Sequence, residues 1–491
     1  MKLSLPERGL IAPLAVGRQY GAAKTAHLGR FNCVPPRTNK IFTRDQEVTH
    51  PTPSLTRSLV SLIRSKPVTE ADLSAAALFV LDAIANTCAG QNSSPGRVLL
   101  GWNGADGAAN IQPDTGKRAF LLGALTHILE TDDLHRESVV HPGCVVVPPA
   151  WVLAAKRGIG GRAFLTSVLH GFEATTRVGM AVGAEHYKIW HNTATCGPFG
   201  AAMASAALLG LDDEEATHAL GNAGSQAAGL WEFLETGAMT KHLHAGHAAE
   251  AGVRAAELAQ HGFTGPPNIL EGEKGFFKAA CPDADPSAVL DDADAPWQLT
   301  TTSIKPWPSC RHTHPAIDAA QTIRTKLKER GQTLTDDMIE TVEVGVYQAA
   351  IDVCDRVSPT TEYEAKFSLH HTVAAGLLSD QVDFAAFREQ ARADLGSART
   401  KVRPSLQEPY ASSYPKSWGS SVSLTLTSGE TITETRTNAK GDPEAALTRD
   451  EMIDKATMLL DHARMPEPAR FIEAVLTLAD DGDLPALPEG L

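Results

Sequence analysis

The chain has 491 residues, with 44 Lys and Arg against 58 Asp and Glu, a net charge of -14. That balance excludes a generic nucleic-acid coat, which needs a basic face. Hydrophobic residues at 43% and charged residues at 21% exclude a disordered chain, and no apolar run reaches the roughly 18–20 residues of a membrane helix, so a soluble protein of about two or three domains is expected.

Residues 1–50 read as a basic leader. Within residues 1–43, Lys2, Arg8, Arg18, Lys24, Arg30, Arg37 and Lys40 stand against one acid, Glu7. The leader has no apolar stretch of the secretory kind, so it is either a disordered tail or an organelle transit peptide. The seven cysteines form no CxxC pair. An odd, scattered set predicts no disulfide framework and a reducing compartment, the cytoplasm, or the mitochondrion if the leader is a transit peptide.

From 51 to 300 the pattern is helical and Ala-rich. Leu73–Ala85 reads as a buried helix with Gly90 as its stop. Arg162–Val182 ends at Gly183, Thr195–Leu211 is rich in Ala and Gly, and Lys241–His261 ends at Gly262. Past Thr300 the pattern changes. Thr341–Tyr347 alternates like a strand, Phe367–Leu378 is helical, and Ser421–Thr435 is a hairpin turning at Ser428-Gly429. The fold expected is mainly α, a large all-helical domain followed by a smaller α+β domain over 301–437. Residues 438–491, opened by a Thr448/Glu451 capping box, return as helices to the first domain.

Titratable residues gather at breaks between apolar helices. Glu130-Thr-Asp-Asp-Leu-His-Arg-Glu-Ser-Val-Val-His141 is either a proton-transfer site or a solvated helix cap. His191 precedes a Gly/Ala-rich helix, whose N-terminus suits a carboxylate ligand or needs only a cap. Lys241, His244 and His247 recur at i, i+3 and i+6, a cationic face rather than the i, i+4 pair of a zinc helix. Two prolines, Pro306 and Pro308, lead from Lys305 into Cys310, Arg311, His312 and His314 at the domain junction, as a cationic clamp or a basic linker. Lys366-Phe-Ser-Leu-His370-His371 is the last run, either part of the site or a packed helix with one solvent-facing His. No glycine loop or GxSxG follows a strand, which argues against nicotinamide, flavin, ATP and serine-hydrolase chemistry.

In this order, Glu130-x-Asp-Asp with His141-Pro-Gly, His191-x-Thr-Ala-x-x-Gly, Lys241-x-x-His-x-Gly-x-Ala-Ala and Lys305-x-x-x-x-Cys-x-x-x-His-Pro resemble the MmgE/PrpD family. That family includes 2-methylcitrate dehydratases, cis-aconitate decarboxylases and iminodisuccinate epimerases. The resemblance implies a helical domain with an α+β lid, a homodimer, and neither cofactor nor metal. It implies a lyase of the dehydratase type that abstracts a proton alpha to a carboxylate of a small di- or tricarboxylic acid, 2-methylcitrate-like; an epimerase or a decarboxylase is the alternative. Catalysis would fall to Glu130, His141, His191 and Lys241, with His141 oriented by Glu130 or Asp133. Substrate binding would fall to Asp133, Lys305, Cys310, Arg311, His314 and His371. Leu134, Cys310 and His371 depart from the decarboxylase pattern, where Thr, His and Tyr are expected.

Overall fold

Ala-rich segments with small residues at their crossings let helices approach closely, and the computed structural model, which describes residues 54–104 and 114–491, is built on that. The expected leader lies outside the described residues. Ten helices form the first layer system: α1 (Leu55–Ser65), α2 (Glu70–Gly90), α3 (Ser94–Gly104), α4 (Thr115–His127), α5 (Pro142–Arg157), α6 (Gly161–Ala181), the single turn α7 (Ala184–Tyr187), α8 (Asn192–Leu209), α9 (Asp213–Gly224) and α10 (Thr240–Gln260). α8 is the central rod. Every residue in it but Ala207 is buried, and α5, α6, α9 and α10 pack around it.

Gly90 does not stop α2; the helix runs through it. A Cβ there would fall 2.1 Å from the carbonyl oxygen of Leu125, so the glycine serves the crossing with α4. α2 is also long and apolar enough to cross a membrane by length and composition, contrary to the run-length reading, but 78% of its most apolar stretch is buried in this core.

The second region carries a four-stranded sheet in the order β2-β1-β3-β4: β1 (Ile339–Val346), β2 (Val402–Leu406), β3 (Ser420–Leu426) and β4 (Thr431–Arg436). β1 pairs parallel with β2 and antiparallel with β3, which puts Val342 between Val402 and Leu424. Helices His314–Glu329 and Leu369–Leu378 cover the apolar face. β2 escaped the sequence reading because Val-Arg-Pro-Ser-Leu neither alternates nor suits a central strand. It is an edge strand, where the missing N–H of Pro404 costs little.

The C-terminal helices, Arg449–His462 and Pro468–Leu476, pack on α2. The first is opened by the Thr448/Glu451 capping box. Its Lys455 lies 2.5 Å from Asp82 of α2, both 3% exposed, and donates to the Thr131 carbonyl at 2.6 Å. Replacing Lys455 by Met leaves Asp82 buried without its partner, and a loss of about 3 kcal/mol is expected from the urea midpoint. An unchanged midpoint would mean the pair does not hold the helix down.

Candidate active site

The segment between α4 and α5, residues 128–141, is a loop held in an unusual shape. Glu130 and Val139 both have positive φ, 62° and 51°. For a β-branched valine that region is costly, and such strain persists where the surroundings enforce it. Leu134 exchanges two 2.8 Å backbone bonds with Ser303, His135 N–H donates to Val140, and Asn192 donates to the Ser138 carbonyl at 2.8 Å. Both oxygens of Asp133 accept the Gly143 N–H at 3.0 Å, so this carboxylate caps α5. Burial, with Asp132 beside it, pushes its pKa well above the ordinary carboxylate range.

Two histidines occupy helix N-cap positions, His141 on α5 and His191 on α8, and neither makes a capping bond. Their rings are therefore free for other partners. His141 Nδ1 lies 3.1 Å from Asp132 Oδ2 as an ion-pair contact without hydrogen-bond alignment, while His127 Nδ1 is hydrogen-bonded to the same oxygen at 2.6 Å. Asp132, not Glu130 or Asp133, is the carboxylate in contact with the His141 ring. Burial opposes its charge, but His127 and then His141 overcome that and hold Asp132 well below the ordinary range. An ionised Asp132 this close to Nδ1 favours a proton there, and the ring reaches the cavity wall. Burial lowers the His141 pKa to about 4, Asp132 pulling it up and Lys305 down.

Glu130 is 7% exposed and stands between two ammonium groups. Lys241 forms a short ion pair with its Oε1, while Lys305 is 3.7 Å from Oε2 and donates to the Glu130 carbonyl at 3.2 Å. Burial would raise the carboxyl pKa, yet Lys241 and Lys305 drive it far below its usual value. Lys241 lies in the first turn of α10, where a cation opposes the helix dipole. Glu130 offsets that, and burial of the ammonium group is overridden so that its pKa rises.

These groups line one cavity of about 780 Å³ between the helical region and the sheet region. Glu130, His141, Lys241, Lys305, Cys310 and Arg311 all reach its wall, joined by Leu134, Trp231, His312 and Trp418. His191 does not. It is 2% exposed behind the wall, stacked on His127 at 5.7 Å and with its Nδ1 3.3 Å from that of His244. Burial, then the neighbouring His127 and Lys241, keep it neutral with a pKa well below the usual value.

His127, Asp132 and His141 also bring three potential metal donors within 4.8 Å of one another. Both imidazole Nδ1 atoms lie close to one carboxylate oxygen, at 2.6 and 3.1 Å. Ligand atoms around a tetrahedral ion with bonds of ~2.0–2.1 Å would stand roughly 3.3 Å apart. Both separations are shorter, and the His127–Asp132 one is a hydrogen bond.

The MmgE/PrpD N-terminal domain matches residues 58–289 and the MmgE/PrpD C-terminal domain matches residues 307–480. The chain belongs to the MmgE/PrpD family. Human cis-aconitate decarboxylase is 27% identical over 351 residues, covering 69% of this chain and 71% of that protein. The cis-aconitate decarboxylase-like protein oryM of Aspergillus oryzae is 26% identical, covering 76% and 82% respectively. Cis-aconitate decarboxylase of Aspergillus terreus is 26% identical, covering 65% and 69%. The similarity is thus to lyases.

Within this MmgE/PrpD chain the expected substrate contacts divide. Cys310 faces the cavity. Arg311 reaches the wall but is 4% exposed, and its guanidinium is held by Asp442 and by the Lys440 carbonyl at 2.9 Å. His314 lies beneath it, with Nδ1 3.0 Å from Arg311 Nη1 and Nε2 3.1 Å from the Ser309 carbonyl. His371 is fully buried inside the sheet region, its Nε2 2.8 Å from the Ala386 carbonyl. Asp133, His314 and His371 are off the cavity wall, each engaged by an internal bond. Sequence reasoning missed His127 and left Asp132 without a role. The only available signal was a histidine ending an apolar helix five residues before an aspartate.

Proposed function

We propose that the chain is a cofactor-independent lyase acting alpha to a carboxylate of a small di- or tricarboxylic acid. His141 at the cavity wall carries this reading, because with Asp132 3.1 Å from its Nδ1 it supplies a neutral imidazole beside two ammonium groups. His141 Nε2 takes the α-proton. The charge left on carbon and its carboxylate is stabilised by Lys241 and Lys305. In the dehydratase form, a β-hydroxyl then leaves as water once it gains a proton. The relatives' names favour a second reading, in which carbon dioxide leaves and the proton is delivered to the carbon.

Proton NMR in D₂O with 2-methylcitrate, citrate, cis-aconitate and iminodisuccinate separates these. A new alkene signal with loss of water identifies the dehydratase, and loss of carbon dioxide the decarboxylase. Deuterium entering an α-position with only a change of diastereomer ratio would replace the lyase reading by an epimerase.

A further inference from the structure

The positive charge inside the cavity centres on two lysines. Lys241 and Lys305 converge on Glu130, Arg311 is neutralised by Asp442, and Lys188 at the rim is paired with Glu185 at 2.5 Å. Glu232 and Glu235 stand exposed on the wall, and the rest of it is mainly aromatic and aliphatic. Tyr187 and Trp231 meet edge to face at 5.3 Å, His312 and Trp418 stack at 4.7 Å, and Tyr363 lies against Phe367 at 4.8 Å. All six line the cavity. His312 is uncharged near neutral pH, since burial and then Arg311 lower its pKa to about 4. Leu134 and Val139 flank His141 along the strained loop and add apolar surface beside the base.

Such a wall refuses carboxylates. Ring faces carry the negative part of an aromatic quadrupole, so an anion against them is both repelled and stripped of water. It accepts hydrocarbon. A cavity of about 780 Å³ is also in the size range of sites for ligands much larger than a six-carbon acid, roughly 300–1,000 Å³.

We infer that the substrate is an amphipathic acid, with a carboxylate head at Lys241 and Lys305 and a hydrocarbon arm, alkyl or aryl, of several carbons against the Leu134, Trp231 and Trp418 wall. This rests on the reading of the cavity as the lyase site and names the class of molecule that site takes.

Calorimetric titration of the full chain with succinate and its 2-methyl, 2-propyl and 2-benzyl derivatives tests it. Each buried methylene is worth about fourfold in Kd, so 2-propylsuccinate should bind about 50-fold more tightly than succinate. Affinities within twofold of one another, or no binding by any member, would overturn the inference. Trp418→Ala should shrink the benzyl-to-succinate ratio at least fivefold; should that variant not fold, Leu134→Asn is the substitute, and an unmoved ratio in the folded one counts against the arm. Exchange of the α-protons of bound succinate for deuterium is read in the same samples. Exchange without arm preference removes the arm and keeps the lyase reading, whereas arm preference without exchange does the reverse.

Discussion

Alanine at His141 is expected to lower kcat/KM by about 10³ while leaving the fold intact, as a positioned acid/base typically contributes 10²–10⁴. The ring caps nothing, and Asp132 keeps His127 as a partner at 2.6 Å when His141 is removed. Asp132→Asn should lose most of the same factor, because an amide can donate to Nδ1 and turn the imidazole into the wrong tautomer. The pH profile gives a second readout. With its pKa lowered to about 4, His141 is the free base across the neutral range, so the acid limb of kcat/KM should lie near pH 4 and not near 6.5. Stability follows the same sign. The unfolded chain binds the proton more tightly, so this contribution is complete above about pH 6.5 and is lost as pH falls toward 4. Wild-type turnover in the alanine variant, read from single-turnover rates, would remove His141 from the chemistry.

The sequence made this site visible as segments but not as geometry. Helices announced themselves through Ala-rich apolar runs, and the Ser428-Gly429 turn fell within the β3–β4 hairpin, because local pattern and tertiary packing agree there. Gly90 misled because a glycine that permits a crossing looks like one that ends a helix. The choice among Glu130, Asp132 and Asp133 was illegible for a different reason. Neighbouring side chains diverge, and the positive φ of Glu130 sets which of them faces the lysines, the imidazoles or the α5 terminus. The loop that carries it is held by contacts from Ser303, Lys305 and Asn192, far along the chain. His314 and His371 looked like ligands because a histidine beside an arginine or another histidine reads alike whether it faces a cavity or a buried carbonyl.

Lys241→Met should lower kcat/KM by about 10²–10³, the usual cost of losing one group aimed at developing negative charge. The loss has two parts. The carboxylate head forfeits one of its two ammonium contacts, which raises KM. Glu130, held ionised chiefly by Lys241, keeps only Lys305 at 3.7 Å, so burial reasserts itself and its carboxyl pKa moves upward. A carboxyl that titrates nearer neutrality lets Lys305 regain influence as pH falls, so the variant should recover part of its activity in mildly acidic buffer where the wild type does not. Glu130→Gln in the Lys241→Met background should abolish that recovery, since no carboxyl remains to titrate. If Lys241→Met lost activity uniformly across pH, with the double variant no different, Glu130 would be a structural brace for α10 and not the regulator of the charge that the substrate meets.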